Sequence, residues 1–261
     1  MKVLVSWSTG KDSAWMLHML NQQYPQAAAG LLTTTNQAFD RVAMHAVRRT
    51  VLERQAEAAG LPLHVIPLPW PCSNADYEAR IHRSLRAHYG DYVLEPGTAP
   101  EQVVRALDAY FDGDLRALDN VRTAIAGLVT EGFTHVAFGD LFLDDVRLYR
   151  EERLAGTGLE PLFPIWKTKS THALAHEMID AGLKARLTCI DPRKLDRSFA
   201  GRTFDHALLN DLPSDVDPCG ENGEFHSFAC AGPMFTEEIK VKVGEIVDRD
   251  GFVFSDLTLS S

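Results

Sequence analysis

The most constraining feature of this 261-residue chain is its opening. A short apolar run, Lys2 to Ser6 with Val3, Leu4 and Val5 at its centre, leads straight into Trp7-Ser8-Thr9-Gly10-Lys11-Asp12-Ser13. Ala14, Trp15, Leu17, His18 and Leu20 to Tyr24 then carry helical spacing until Pro25. A buried strand that turns through a small polar loop into a helix is the first unit of an α/β fold. The pattern continues with a Leu- and Thr-rich strand at Ala29 to Thr35 and a helix from about Val42 to Ala59, closed by Gly60 and Pro62. A strand follows at Leu63 to Leu68, then helices at Asn74 to His88 and Ala117 to Glu131, and a strand at His135 to Gly139. Strands alternating with helices imply a parallel sheet with right-handed crossovers, whose ligands sit at the carboxyl ends of its strands.

Between Ala87 and Leu118 the pattern weakens around Gly90, Pro96, Gly97 and Pro100, which reads as an insertion or lid. Beyond Trp166 the character changes. A helix from about Ser170 to Ala181 and a strand near Ala185 to Ile190 precede a loop-rich acidic segment. A hairpin of Lys240 to Val247 with Phe252 to Leu257 turns at Asp248-Arg249-Asp250-Gly251. The expected organisation is an α/β parallel-sheet domain over residues 1–166 and a smaller C-terminal α+β domain over 167–261.

Composition excludes several classes. The longest apolar run, Ala27 to Leu32, has six residues, too few for a membrane span, and the N-terminus lacks a signal-peptide pattern, so a cytoplasmic protein is expected. From Asp205 to Ser261 there are 12 acidic and 3 basic residues within a formal net charge of -10, which argues against nonspecific binding of DNA or RNA. Cys72, Cys189, Cys219 and Cys230 form no C-x-x-C pair, so reduced thiols are expected rather than a zinc knuckle.

The loop from Ser8 to Ser13 has the chemistry of a phosphate cradle: exposed amides at a helix N-terminus, hydroxyls at Ser8, Thr9 and Ser13, close approach at Gly10, and a full charge on Lys11. It is not a G-x-x-x-x-G-K-[ST] loop, because position 5 is Val and Asp12 follows Lys11. Its spacing resembles the S-G-G-x-D-S pyrophosphate loop of the adenine nucleotide alpha hydrolase superfamily, with Thr9 departing where Gly is usual. Four further segments, in order, resemble the diphthine ammonia ligase family: Gln55-Ala56-Glu57-Ala58-Ala59-Gly60-Leu61-Pro62-Leu63; Gly139-Asp140 with Arg147, Tyr149 and Glu151; Gly158-Leu159 through Leu162-Phe163-Pro164-Ile165-Trp166; and Asp217-Pro218-Cys219-Gly220-Glu221-Asn222-Gly223-Glu224-Phe225-His226.

That resemblance implies a HUP-like nucleotide-binding domain and an ATP-dependent, AMP-forming ligase, which adenylates a carboxylate and transfers ammonia or an amine to it with Mg²⁺ assisting. The partners implied are a small-molecule or protein carboxylate acceptor and ammonia or an amine, with no DNA and no membrane; a homodimer is compatible with this. The family's usual E-G-G-E-F-E is replaced here by Gly220 to His226, a variant resembling bacterial relatives, so the chemistry is expected to carry over more readily than the substrate.

Under this reading Ser8, Thr9, Gly10, Lys11, Asp12, Ser13 and Gly139 bind the nucleotide. Asp12 either holds magnesium or caps its own helix. Asp140 binds metal or a substrate amine, or caps the helix that follows. Arg147 meets a phosphate or carboxylate, or pairs with Glu151 four residues on. Tyr149 and Trp166 suit the core or a pocket wall better than a chemical role. Glu221 and Asn222 select substrate, and Glu224 or His226 takes a proton from the attacking amine, against the alternative of an exposed turn. His172 and His176, at i and i+4, read as surface or packing residues rather than metal ligands. Competing functions are an ATP- or AMP-responsive binding module and a tRNA-thiolating enzyme; the latter is disfavoured by the lack of paired cysteines and of a basic module.

Overall fold

The computed structural model describes residues 1–36, 38–42, 45–68 and 124–260. Strand β1 (Val3–Ser6) is followed by α1 (Lys11–Gln23), β2 (Ala28–Asn36), the two-residue β3 (Arg41–Val42), α2 (Arg49–Ala59) and β4 (Leu63–Leu68). After a helical run over 124–130 come β5 (His135–Ala137), a helix Asp144–Leu154 and β6 (Glu160–Leu162). β2 pairs in parallel with β1 and β4, and β5 in parallel with β1 and β6. The five parallel strands therefore lie in the order β4-β2-β1-β5-β6. The chain builds outward from β1 in one direction, then returns and builds in the other, which makes the gap between β1 and β5 the topological switch point of a doubly wound sheet. Both site segments proposed above, Ser8 to Ser13 and Gly139-Asp140, leave the sheet at the carboxyl ends of those two strands.

Full burial of β1 explains its position. Val3, Leu4 and Val5 have no exposed surface. Val3 and Val5 face α1, α2 and the C-terminal residues in one large core, whereas Leu4 faces Leu128, Phe133, Val136, Phe138, Leu154 and Leu159 on the other side.

The second sheet is antiparallel, in the order β10-β11-β7-β8, with β9 also pairing β7. Its strands are β7 (Lys184–Ile190), β8 (Thr203–Phe204), β9 (Phe225–Ala231), β10 (Val241–Arg249) and β11 (Phe252–Leu259). Ser170 caps the helix Thr171–Asp180 by accepting a hydrogen bond from the Ala173 amide. The expected terminal hairpin is present as β10 and β11. The apolar core runs without a break from Val3 of the first sheet to Leu257 of the second, so the two sheets share one interior.

Two expectations are corrected. The helix expected from Val42 begins only at Arg49; Val42 instead pairs with Thr35 of β2 and donates from its amide to Val47 O, and Arg41 bridges Arg48. Val42 and Val47 are buried by that pairing rather than by a helical stripe. The segment read as acidic loop holds β8, the short helix His206–Asp211 and the whole of β9. β9 reads Phe-His-Ser-Phe-Ala-Cys-Ala and is covered on both faces, so it shows no alternation of polar and apolar residues. The helix expected at Asn74 to His88, the insertion over 87–118 and Cys72 lie outside the described residues. Among the described residues no helix is long and apolar enough to cross a membrane, and Cys189, Cys219 and Cys230 are buried thiols.

Candidate functional site

The loop between β1 and α1 is held from behind by one amide side chain. Gln55, on the buried face of α2 with no exposed surface, accepts a hydrogen bond from Trp7 Nε1 (2.8 Å) and donates from Nε2 to Thr9 O (3.0 Å) and Ala229 O (2.6 Å). The Ala229 amide also donates to Thr9 O at 2.9 Å. β9 of the second sheet therefore backs directly onto the loop.

Within the loop, Thr9 has φ +72°, a left-handed conformation that favours glycine and strains a β-branched residue. This is the position where the sequence departs from the pattern it resembles. The backbone demanded there is the one glycine would supply, and Thr9 is held in it by the bonds to its carbonyl. Its Oγ1 is buried without a hydrogen-bond partner. Ser13 Oγ donates to Gly10 O (3.0 Å) and lies 3.2 Å from Ser8 Oγ. The N-cap residue Gly10 has no side chain to cap α1; Ser227 Oγ takes the Lys11 amide, and the rest of the first turn is left to an anion. The capping role considered for Asp12 is thus not realised.

Gly139 fits against that turn. A Cβ built there would stand 3.0 Å from Asp12 O and 3.1 Å from the Ser13 amide nitrogen, so only glycine lets the end of β5 lie on the first turn of α1. Asp140, next along, meets Arg150 Nε at 3.4 Å.

Lys11 is 2% exposed and ties the loop to the C-terminal motif. Its Nζ donates to both Asp12 oxygens (3.0 and 2.8 Å) and to Cys219 O, and its backbone amide donates to Ser227 Oγ at 3.2 Å. Burial works against the ammonium charge, but Asp12 outweighs it, with further pull from Cys219 and Glu221, and the pKa stays above its ordinary value. The segment Gly220 to His226, distant in sequence, thus lies against the phosphate-type loop.

The residues of that segment take different roles. Glu221 feels Asp12, Lys11 and Asp140 together, and accepts a hydrogen bond from the Leu141 amide. Burial, reinforced by the two aspartates, pushes its carboxyl up to about 8. Glu224, 3% exposed, turns into its own loop: Oε1 accepts from the Asp217 amide (3.0 Å) and from Asn222 Nδ2 (3.2 Å), while Oε2 is buried without a partner. Asn222 is exposed, and its carbonyl accepts from Lys194 Nζ. Asp217 stitches the loop by accepting from Thr171 Oγ1 (2.6 Å) and from the amides of Cys219 and Glu221. His226 faces the ring of His45 at 4.7 Å between centroids. Burial, with His45 and Lys11 nearby, pulls its pKa down to about 3.

Arg147 adopts the alternative foreseen for it, donating from Nε to Glu151 Oε1 at 2.8 Å while its guanidinium lies over the rings of Phe163 and Trp166. Tyr149, on the same helix, has the Arg153 guanidinium over its ring. His172, His176 and His206 stack in sequence at the surface, with His206 Nε2 2.9 Å from Asp180. No group of three or more metal-type ligands is assembled among the described residues.

Sequence reasoning passed over the individual roles of Gln55, His45, Ser227 and Asp217. Gln55 alone left a signal: a lone amide in the buried stripe of a helix, between Leu52 and Ala56, needs a polar partner.

Fold and site together define a doubly wound α/β protein with a polar strand-to-helix loop at its switch point, packed against an antiparallel C-terminal sheet. Residues 170–255 match the family model of the diphthamide synthase C-terminal domain. The diphthine–ammonia ligase of Homo sapiens is 27% identical over 125 residues, which is 46% of this chain and 46% of that protein, so the match spans about half the length of this curated relative. Both comparisons find this chain similar, over part of its length, to the diphthine–ammonia ligase family. A crystal structure described as a predicted subunit of tRNA methyltransferase from Methanocaldococcus jannaschii superposes with a TM-score of 0.40 at 16% identity, over 92% of this chain and all of that one.

Proposed function

We propose that the protein is an ATP-dependent, AMP-forming ligase that activates a carboxylate and joins ammonia or an amine to it. The observation that carries this reading is the contact of Lys11 with Cys219 O and Ser227 Oγ, which puts the anion cradle and the polar motif of the C-terminal sheet around one space. A ligase of this class needs both halves together: one to hold a triphosphate, the other to present an acyl group and an amine in line with it.

The residues fit a polyphosphate. The first turn of α1, the unpartnered Thr9 hydroxyl and the Ser8 and Ser13 hydroxyls supply donors, and Gly139 lets β5 close against that turn. Mg²⁺ would find carboxylate oxygens at Asp12, with Asp140 on the neighbouring strand end to add to the field. ATP, when bound, supplies the adenylyl group that turns a carboxylate oxygen into a leaving group. Lys11 holds a fixed positive charge beside the loop, and its pairing with Asp12 keeps that charge at any working pH. Glu221, protonated near neutrality, can donate a hydrogen bond to an acyl oxygen. Glu224 and His226 are the candidates to take the proton of an attacking amine: Glu224 Oε1 is turned into its own loop, and the lowered pKa of His226 makes it a weak base until a bound anion offsets Lys11. The human relative's name joins diphthine and ammonia; for this chain the acceptor class is a carboxylate on a small molecule or a protein, and the departures at Gly220 to His226 are where a different acceptor would be read.

Product chromatography tests the proposal. Turnover stimulated by an acceptor carboxylate and ammonium should yield AMP and pyrophosphate. ADP and phosphate as sole products would overturn the mechanism, and nucleotide binding without any turnover across a metabolite panel would favour the binding-module alternative.

A further inference from the structure

The ring of His45 rests on the anion cradle, although it belongs to a hairpin that the reading above does not use. We propose that His45 is a phosphate ligand of this site that gains its charge only when the anion arrives, so that polyphosphate binding takes up a proton. The inference rests on the proposal that the loop Ser8 to Ser13 holds a polyphosphate, and adds to it a ligand and a pH dependence.

Position comes first. His45 lies just before Ala46, whose amide donates to Val42 O and whose φ is +54°, where the antiparallel bridge of Arg41 to Arg48 joins the two arms of a hairpin. That hairpin is clamped to β11. Arg48 donates to Asp256 from Nε (3.0 Å) and Nη2 (2.6 Å), and Arg41 Nη1 donates to Asp256 Oδ1 (2.9 Å) and back to Ala46 O (2.7 Å). A two-arginine clamp on one carboxylate fixes the turn more firmly than a lone surface pair would. The imidazole it carries lies with Cε1 3.0 Å from where a Cβ on Gly10 would stand, so the ring edge lies directly on the loop.

The proton inventory follows from the partner. His45 Nδ1 lies 3.1 Å from Ser227 O, and a carbonyl oxygen only accepts, so Nδ1 carries the hydrogen. In the neutral ring Nε2, bonded to the Cε1 that touches the loop, is then a lone pair. The groups facing the ring are Lys11 from α1 and His226 from β9; beside it the two charges of Arg41 and Arg48 are half offset by Asp256. Burial first, and Lys11 next, pull the His45 pKa down to about 4 despite the bond to Ser227 O. Two neutral imidazoles thus lie under the positive charge of Lys11 at the edge of the loop. A polyphosphate reverses the local sign, and the lone pair on Nε2 would then face anionic oxygen unless it is protonated. Protonation converts that repulsion into a charge-assisted hydrogen bond while the Nδ1 donation to Ser227 O is kept.

The consequence is linkage. Between the free-state and bound-state pKa values, affinity rises by up to about tenfold for each unit by which pH falls, and one proton enters per anion bound. Calorimetric titration of ATP into the full chain, in buffers of differing ionisation enthalpy from pH 8 to pH 6, reads this uptake. The ligand's own titration is common to all variants, so the difference between wild type and His45→Gln isolates the imidazole. The expected result is a larger uptake by wild type, with the gap widening toward pH 6, and no such gap for His226→Asn. Equal uptake by wild type and His45→Gln, with ATP still bound, overturns the inference and leaves the proposed function standing. Assignment of the missing uptake to His226 overturns it as well. If instead wild type and Lys11→Ala show the same ATP affinity, the cradle reading itself has failed. Nuclear magnetic resonance of the His45 Cε1 proton gives the same quantity without a variant: a midpoint no higher with ATP than without it refutes the proposal even if His45→Gln does not fold.

Discussion

Replacing Gln55 with Leu removes three buried hydrogen bonds while keeping most of the side-chain volume. The Trp7 indole N–H loses its acceptor, and Ala229 O loses its side-chain donor. Thr9 O keeps only the bond from the Ala229 amide. A net hydrogen bond contributes about 1 kcal/mol, and a buried donor left without a partner costs about 1–3 kcal/mol, so the loss comes to about 3–5 kcal/mol. That is a large share of the 5–15 kcal/mol by which a folded protein is typically stable. For a chain of this size it lowers Tm by about 6–20 °C. Differential scanning calorimetry measures the shift, with a urea titration as the check. Gln55→Glu sharpens the test. It keeps the acceptor for Trp7 but sets a second oxygen against Thr9 O and Ala229 O in a site with no exposed surface, so it should be worse than Leu at pH 8 and improve as the pH falls and the carboxyl protonates. The nucleotide loop hangs from the same amide, so ATP affinity should fall in both variants. A Gln55→Leu protein melting within about 2 °C of wild type would refute the reasoning, because the three bonds would then contribute nothing net.

Lys11→Ala and Asp12→Ala should each weaken ATP binding in calorimetry, and unchanged affinity in both would remove the loop from the nucleotide site. Glu221 has its folded-state pKa raised to about 8 against an ordinary 4.5, so the folded chain holds the proton more tightly and stability falls as pH rises between those values; Glu221→Gln should flatten that decline in urea titrations at pH 5 to 9, and an unchanged slope would place the carboxyl in solvent. Glu224→Gln retains the Oε1 acceptor for Asp217 and Asn222, so it should fold normally. A loss of about a hundredfold in acceptor-stimulated pyrophosphate release in that variant would assign the proton transfer to Glu224 rather than His226.

Much of the molecule was legible because its signals are local. A strand buried on both faces is an unbroken apolar run, and Val3-Leu4-Val5 shows it. A helix after a short polar loop declares its start by spacing, and Asp248 to Gly251 declares its turn by composition. These readings need only neighbours in sequence, so they held for β1, α1, β2, β4, β7 and the final hairpin. They failed where burial comes from another part of the chain: residues 42–48 look helical until Val42 and Val47 are seen to pair across a turn, and β9 looks like loop until two layers cover it. The site divides in the same way. The chemistry of Ser8 to Ser13 is written in residue types and spacing, and so is the positive φ at position 9, which a pattern with glycine there anticipates. Tertiary structure alone decided that Gln55 holds the loop to β9, that Glu221 rather than Glu224 faces Asp12 and Asp140, and that His45 lies on Gly10. Those contacts join residues 35 to 209 positions apart, and only the folded core that brings β9 and the 217–224 loop onto the switch point of the parallel sheet sets them.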